Sequence, residues 1–181
     1  PFSWIEVATN MNLDVAQSQT FPTVVYSGAN NALATIKAVS SKYPLRGKVK
    51  ISDSKFDDEY AVNSIPSIDE IWVDDALLFR LKANIGDVIA IGNTNFKITA
   101  LLRYRPDQSI GFASLAPSIL INLRALSGTG LITEGSRVNY SLLTAGETEI
   151  IERFAKLMRE TVTESARISD PSDSSQRTNQ A

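Results

Sequence analysis

The chain has 181 residues, 43% of them hydrophobic and 21% charged, with a formal net charge of −2. That length suits one domain, or one domain with an inserted subdomain, and the composition is that of a folded protein. Cysteine and histidine are both absent, which excludes disulfides, Cys-containing zinc sites, thiol nucleophiles and imidazole general bases, while the charge balance argues against nucleic acid as a partner.

No apolar run reaches the ~20 residues of a membrane span. Residue 1 is Pro rather than Met. Asp170-Pro171 places Asp as a helix N-cap and Pro at the first helical position, yet the chain stops at Ala181. Both ends fit a piece taken from something longer, a frayed polar tail being the other reading of the second.

Along the chain, Ser3 and Glu6 have capping-box spacing, and Ile5, Ala8 and Met11 share one helical face. Thr23–Tyr26 and Leu33–Val39 read as strands joined by the turn chemistry of Gly28-Ala29-Asn30-Asn31. Val49 and Ile51 alternate with Lys48 and Lys50 as in a half-buried strand. Residues 52–69 read as a long polar loop, Glu70–Val73 as a short strand, and Asp75–Leu81 as a helix capped by Asp74.

The clearest hairpin joins Val88–Ile91 to Phe96–Tyr104 through Gly92-Asn93-Thr94-Asn95. In its second strand Phe96, Ile98, Ala100, Leu102 and Tyr104 fall on one side and polar residues on the other, with Leu101 the exception. Pro106–Pro117 is a second long loop and Ser118–Leu123 a strand. Val138, Tyr140 and Leu142 alternate with Arg137, Asn139 and Ser141 as in another strand, which Gly146 ends. Apolar positions at helical spacing make Glu147–Val162 the most regular helix, and Ala166–Ser169 a last short strand. Gly47, Gly86, Gly92 and Gly146 read as positions set by backbone geometry. The fold class is α+β with mostly antiparallel strands.

Few motifs carry chemistry. Ser52-Asp53-Ser54-Lys55 fits a Ser-x-x-Lys acyl-transfer pattern, but its Lys lies in an acidic loop that keeps it charged. Asp57-Asp58-Glu59 and Asp74-Asp75 pair carboxylates without the spacing of a calcium loop. No metal or cofactor ligand set is assigned. Charge is uneven: residues 34–50 hold Lys37, Lys42, Arg46, Lys48 and Lys50 and no acid, and residues 51–75 hold eight acids and one Lys. The simplest reading is a solvated basic face beside a complementary acidic loop.

Four ordered stretches resemble a known family. They are Val39–Gly47; Ile85–Ile91 with Phe96–Leu102; Arg105-Pro106-Asp107 with Gly111–Pro117; and Thr129–Ile132 with Gly135–Tyr140. Together they resemble the periplasmic, MacB-like core domain of FtsX-like ABC transporter permeases, nearest the YbbP type, over roughly residues 1–170.

The resemblance implies a mixed α/β subdomain from residues 1–52 and 130–170, an inserted mainly β subdomain over 53–129, and a helix at 171–181 leading to a membrane span. It implies a non-catalytic, cofactor-free domain at the periplasmic face of the bacterial inner membrane. Such a domain couples ATP-driven motion of membrane helices to lipid-like or hydrophobic cargo, or to a periplasmic partner. The implied partners are a cytoplasmic ATPase subunit and a second permease copy.

Candidate contact residues follow from the loops and the matching stretches: Arg46, Asp107 and Arg137, with apolar Ile110, Phe112 and Leu115 in the second loop, which either touch cargo or plug the domain's own core. Two other readings stand beside this one, a free-standing binding module and a Ser-Lys hydrolase centred on Ser52.

Overall fold

The computed structural model describes residues 2–108, 116–133, 135–161 and 168. It divides into two compact units, residues 1–14 with 144–181 and residues 15–143.

In the first unit, α1 (Phe2–Asn10) starts before Ser3, so Ser3 lies inside the first turn and not at the cap. The helix ends in a Schellman arrangement. Asn12 takes φ 59°, its N–H donates to the Thr9 carbonyl at 2.9 Å, and the Leu13 N–H donates to the Ala8 carbonyl at 3.0 Å. Asparagine tolerates this left-handed position better than most residues. α4 (Thr148–Thr161) buries Phe154 and Met158, one turn apart, as its apolar spacing predicts. The expected strand at 166–169 and the helix from Asp170 lie outside the described residues.

The second unit is built on one mixed sheet. Its strands are β1 (Asp14–Ser27), β2 (Asn30–Val39), β3 (Val49–Ser52), β4 (Tyr60–Val62), β5 (Glu70–Val73), β6 (Val88–Ile91), β7 (Thr94–Tyr104), β8 (Ser118–Asn122) and β9 (Asn139–Ala145). They run in the order β4-β3-β7-β5-β8-β2-β1-β6, with β9 on β1 and a further pairing of β6 with β7. That last pairing closes β7, β5, β8, β2, β1 and β6 into a ring. β2 with β8 and β5 with β7 run parallel, and the other pairs of described register run antiparallel. The sheet is therefore mixed, though mostly antiparallel as expected.

β7 is long enough to serve two neighbours along one edge. β7 pairs with β6 over residues 94–97 and with β3 over 101–104. The ring thus closes at one end of β7 and opens into the β3–β4 arm at the other.

The ring interior holds Phe21, Val25, Ile36, Ile71, Val73, Ile89, Ile91, Phe96, Ile98, Leu101, Ile119 and Ile121. A second cluster, with Ala16, Val39, Tyr43, Val49, Ile51, Trp72, Ala100, Leu102 and Leu120, packs on the opposite face. Burying each large aliphatic or aromatic side chain here contributes about 1.5–3 kcal/mol before entropy is charged.

Leu101 breaks the alternation of β7 because the strand bulges. Ile71 faces Ile98, but Trp72 faces Ala100. Thr99 is the extra residue, so the residues after it change sides. Leu101 then joins Ile98 inside the ring while Ala100 and Leu102 join the outer cluster. The Thr99 hydroxyl is buried without a hydrogen-bond partner.

Elsewhere the structure adjusts the expected elements. β1 starts at Asp14, nine residues before its recognisable Thr23–Tyr26 core. β4 interrupts the segment expected to be loop. A 3-10 turn (Leu123–Ala125) and α3 (Leu126–Thr129) follow β8. Both hairpin turns are two residues long, since Ser27 faces Asn30 and Ile91 faces Thr94. In the second turn Gly92 takes φ 59°, and a Cβ there would lie 2.1 Å from the Thr129 carbonyl oxygen. β9 does not point Tyr140 inward: Tyr140 is 65% exposed, and Leu143 packs on the outer cluster instead.

Candidate functional site at the base of the 106–117 loop

Lys37 is a lone cation in the apolar run of β2. Alternation along the strand sends Ala34, Ile36 and Ala38 into the ring and Lys37 to the opposite face. There it forms an ion pair with Asp107, in which the Lys37 side chain is 11% exposed and that of Asp107 30%. The Lys37 ammonium also stands 5.5 Å from the centre of the Tyr43 ring, a cation–π distance. Tyr43 is buried, precedes a cis peptide bond to Pro44, and donates its hydroxyl to Asp107 Oδ1 at 2.6 Å.

This geometry sets the protonation states. Burial works against the Asp107 carboxylate, but the Lys37 charge, the hydrogen bonds from Lys37 and Tyr43, and Arg105 outweigh it and hold the group below the ordinary carboxylate range. Burial, then the Asp107 charge and hydrogen bond, push the Tyr43 phenol far above its usual value. Tyr43 therefore stays a proton donor to Asp107 at physiological pH.

The far end of the same loop is held separately. The Pro117 carbonyl accepts from the Thr35 N–H at 2.9 Å. Asp74 accepts from the Ser118 N–H, and its own N–H donates to the Ser118 carbonyl at 3.1 Å. Arg105 donates to Ser118 Oγ at 3.3 Å. Burial raises the Asp74 carboxyl above its ordinary range, against the Ser118 amide and Arg105. Asp74 precedes α2 (Asp75–Leu81) in extended conformation but makes no side-chain cap bond to it; its carboxylate is spent on β8 instead.

A second polar node centres on Arg103. Its Nε donates to Ser52 Oγ at 2.7 Å. One Nη donates to Asp75, and the other to the carbonyls of Ser54 at 3.2 Å and Lys55 at 3.0 Å. Ser52 is fully buried and donates its hydroxyl to the Ser54 carbonyl at 2.9 Å. That arrangement makes Ser52 a structural pin of the loop, with its hydroxyl engaged on both sides and not presented to a substrate.

Of the adjacent carboxylates noted in the sequence, Asp74 goes to Ser118, Asp75 to Arg103 and Glu59 to Lys50, and nearby Asp53 accepts from the Tyr60 hydroxyl. Among the described residues no group of three or more potential ligands converges on a metal position.

Of the residues selected from sequence, Asp107 sits in the loop-base cluster. Arg46 and Arg137 are exposed and stand outside it. Ile110, Phe112 and Leu115 lie outside the described residues. Sequence reasoning missed Lys37, Tyr43, Asp74, Arg105 and Ser118 as members. The available signals were a single Lys inside an apolar strand and a single aromatic in the basic segment.

Among the described residues no helix is long and apolar enough to cross a membrane. No family model matches the chain. It is 26% identical over 156 residues to the ABC transporter permease YbbP of Escherichia coli (strain K12), an alignment covering 86% of this chain and 18% of that protein. The fold is similar to the extracellular domain of the noncanonic ABC-type transporter YknZ from Gram-positive bacteria, with TM-score 0.58 and 13% identity over 88% of this chain and 82% of that one. It is also similar to the periplasmic region of MacB from Actinobacillus actinomycetemcomitans, with TM-score 0.55 and 13% identity over 87% of this chain and 73% of that one.

Proposed function

We propose that this chain, which has a MacB-like extracytoplasmic fold and resembles an ABC transporter permease in sequence, is the non-catalytic extracytoplasmic domain of such a permease, at the periplasmic face of a bacterial inner membrane. The observation that carries this reading is coverage. The likeness to YbbP runs over 86% of the chain, and the YknZ domain is matched over 82% of its own length. The chain spans only 18% of the permease it resembles, so transport, ATPase partner and cargo belong to the proposal.

In this reading the domain moves as a rigid body between two arrangements set by the nucleotide state of a cytoplasmic ATPase. The 106–117 loop offers contacts to hydrophobic cargo or to a periplasmic protein. The Lys37–Tyr43–Asp107 cluster and the Asp74–Ser118–Arg105 contacts fix the two ends of that loop to the sheet.

These 181 residues contain no cysteine, so one introduced among them, with any cysteine in the rest of the parent replaced, reports on this domain alone. Arg46→Cys in the full-length parent is treated with a membrane-impermeant maleimide in cells with a permeabilised outer membrane. The expected result is labelling without lysis of the inner membrane. Labelling only after lysis, or recovery of the protein wholly in the soluble fraction, overturns the permease reading.

A further inference from the structure

We propose that the outward face of α2, around Phe79, Arg80 and Lys82, is a docking site for a short acidic segment of another protein, in which an apolar side chain stands between carboxylates. The surface is read from this helix and its charges, and it goes beyond the permease reading without depending on it.

α2 is pinned from within. Leu77 and Leu81, one turn apart, are 0% exposed and belong to the ring interior, with Leu78 packed against it. The Leu77 N–H donates to the Asp74 carbonyl at 3.0 Å, and the Ala83 N–H donates to the Leu78 carbonyl at 3.0 Å. Lys82 ends the helix in the left-handed region, with φ 51° and ψ 40°, a position that glycine or asparagine usually takes. A helix fixed in this way cannot turn its other face inward.

That face carries Phe79, 85% exposed, with Arg80 and Lys82 exposed beside it. Among the described residues neither cation has an ion-pair partner. The helix dipole favours cations at this end, but it gives no reason for a bare phenyl ring next to them. A rigid apolar ring flanked by unpaired cations has area to bury and charge to match.

Charge and size select the occupant. Residues 76–86 contain no acid. The carboxylates that border them are engaged elsewhere: Asp74 with Ser118, Asp75 with Arg103, and Asp87 with the Asn84 N–H at 2.8 Å. The tip is thus positive on a chain of net charge −2. It matches carboxylates, one of which the Arg80 guanidinium can hold through two parallel hydrogen bonds. The exposed residues here, Ala76, Phe79, Arg80, Lys82 and Asn84, are far fewer than the roughly 20–30 a side of a standard interface between folded proteins. A short segment fits them, and a folded partner's broad face does not. One ring and two cations also fall short of what stable anchoring on a bilayer takes.

The test pans random short peptides displayed on phage against the 181-residue chain. The enriched peptide is then made synthetically and its binding measured by fluorescence anisotropy. The expected result is a consensus with Asp or Glu on both sides of an aliphatic or aromatic residue, bound more weakly as salt rises. Phe79→Ser and Arg80→Glu/Lys82→Glu each weaken binding at least about tenfold. Lys48→Glu, at an exposed cation of the segment before β3, leaves it unchanged. Phe79→Ser does not move the melting curve, because the ring is 85% exposed. The same peptide with its acids replaced by lysines binds the charge-reversed variant and not the parent chain.

No enriched consensus, a consensus without acids, or binding that survives both variants overturns the proposal. Flotation with phosphatidylglycerol vesicles that Phe79→Ser abolishes gives the surface to lipid, and self-association abolished by the same change gives it to a second copy; either result overturns the proposal too. The labelling experiment above succeeds or fails independently of all of these.

Discussion

The Tyr43 hydroxyl donates to Asp107 Oδ1 at 2.6 Å, joining the segment after β2 to the segment after β7, 64 residues further along the chain. Lys37 closes the triangle from the opposite side of the carboxylate. Removing one partner leaves the others partly buried without a counter-group, so the cost exceeds that of a surface ion pair. Asp107→Asn is expected to lower unfolding free energy by about 1–3 kcal/mol and Tyr43→Phe by about 1 kcal/mol, in urea titrations at neutral pH. Hydrogen exchange gives the local readout. The Gln108 amide, which donates to the Arg105 carbonyl at 3.2 Å, exchanges faster in Asp107→Asn, while amides of β6 keep the protection of the global fold. Equal acceleration at both places would show that the triangle does not hold the loop in particular.

Asp107 and Asp74 act with opposite sign on acid stability. The folded Asp107 carboxyl lies below its ordinary value, the Lys37 ammonium outweighing burial. Its contribution is therefore complete above the unfolded pKa of about 3.9 and is lost as pH falls through the folded value. Burial places the folded Asp74 carboxyl above its ordinary value. Its ionisation costs stability at neutral pH, and that cost disappears as pH falls through the folded value toward the unfolded one. In urea titrations between pH 6 and pH 2.5, Asp107→Asn should flatten the loss of stability at the acid end. Asp74→Asn, whose amide oxygen still accepts from Ser118, should steepen the loss just above the unfolded carboxyl value of about 3.9. A shift of the same sign in both variants would rule out this assignment of the two carboxyls.

The resemblance and the class of fold were legible because they rest on ordered local patterns, such as the Gly86-Asp87 hairpin and the Arg105-Pro106-Asp107 stretch. The ring was not legible. It depends on β2 meeting β8 and β5 meeting β7, pairings between distant segments that leave no local trace. The first half of β1 escaped notice because Gln17, Ser18, Gln19 and Thr20 look like loop, although Ala16 and Ser18 are buried against the outer cluster side of the strand. Leu101 was visible as an anomaly, and a bulge at Thr99 is its cause. In β9 the adjacent pair Leu142-Leu143 permits either alternation: Val138 packs on the ring cluster, but Tyr140 is exposed and Leu143 packs on the outer cluster. At the loop base, Asp107 was picked out by its stretch, whereas Lys37 and Arg105 acquire meaning only once the loop folds back onto β2.

Arg103 should matter more than the serine it holds. Ser52 contributes one hydroxyl, with one bond given and one received. Arg103 joins β7 to the Ser54 and Lys55 carbonyls and to Asp75 at the start of α2. Ser52→Ala is expected to cost about 1 kcal/mol and Arg103→Met about 2–3 kcal/mol in thermal or urea unfolding, because the second removes the partner of the buried Ser52 hydroxyl and of the partly buried Ser54 carbonyl together with the bonds to Lys55 and Asp75. Arg103→Lys should recover little, since a single ammonium cannot span Ser52, two carbonyls and a carboxylate as the planar fork does. Full recovery by Lys would mean that charge alone, without the fork geometry, holds this loop. In an acyl-ester assay Ser52→Ala should match the parent chain, and a loss of hydrolysis specific to it would reinstate the Ser-Lys reading.

Gly92 and Gly86 separate backbone strain from steric contact. Both have positive φ, 59° and 97°, but a Cβ at Gly86 meets nothing within 4 Å, whereas at Gly92 it would lie 2.1 Å from the Thr129 carbonyl oxygen and 2.8 Å from Leu131 Cγ. That carbonyl cannot simply withdraw, because it accepts from the Asn93 N–H at 2.8 Å. Gly86→Ala therefore carries only the conformational penalty, about 1–2 kcal/mol. Gly92→Ala adds displacement of the turn after α3 from the β6–β7 hairpin and should exceed it by about 2 kcal/mol or more. Parallel melts of the two variants measure the difference. Equal losses would mean that the Thr129 turn yields freely, and would remove close packing as the reason for glycine at position 92.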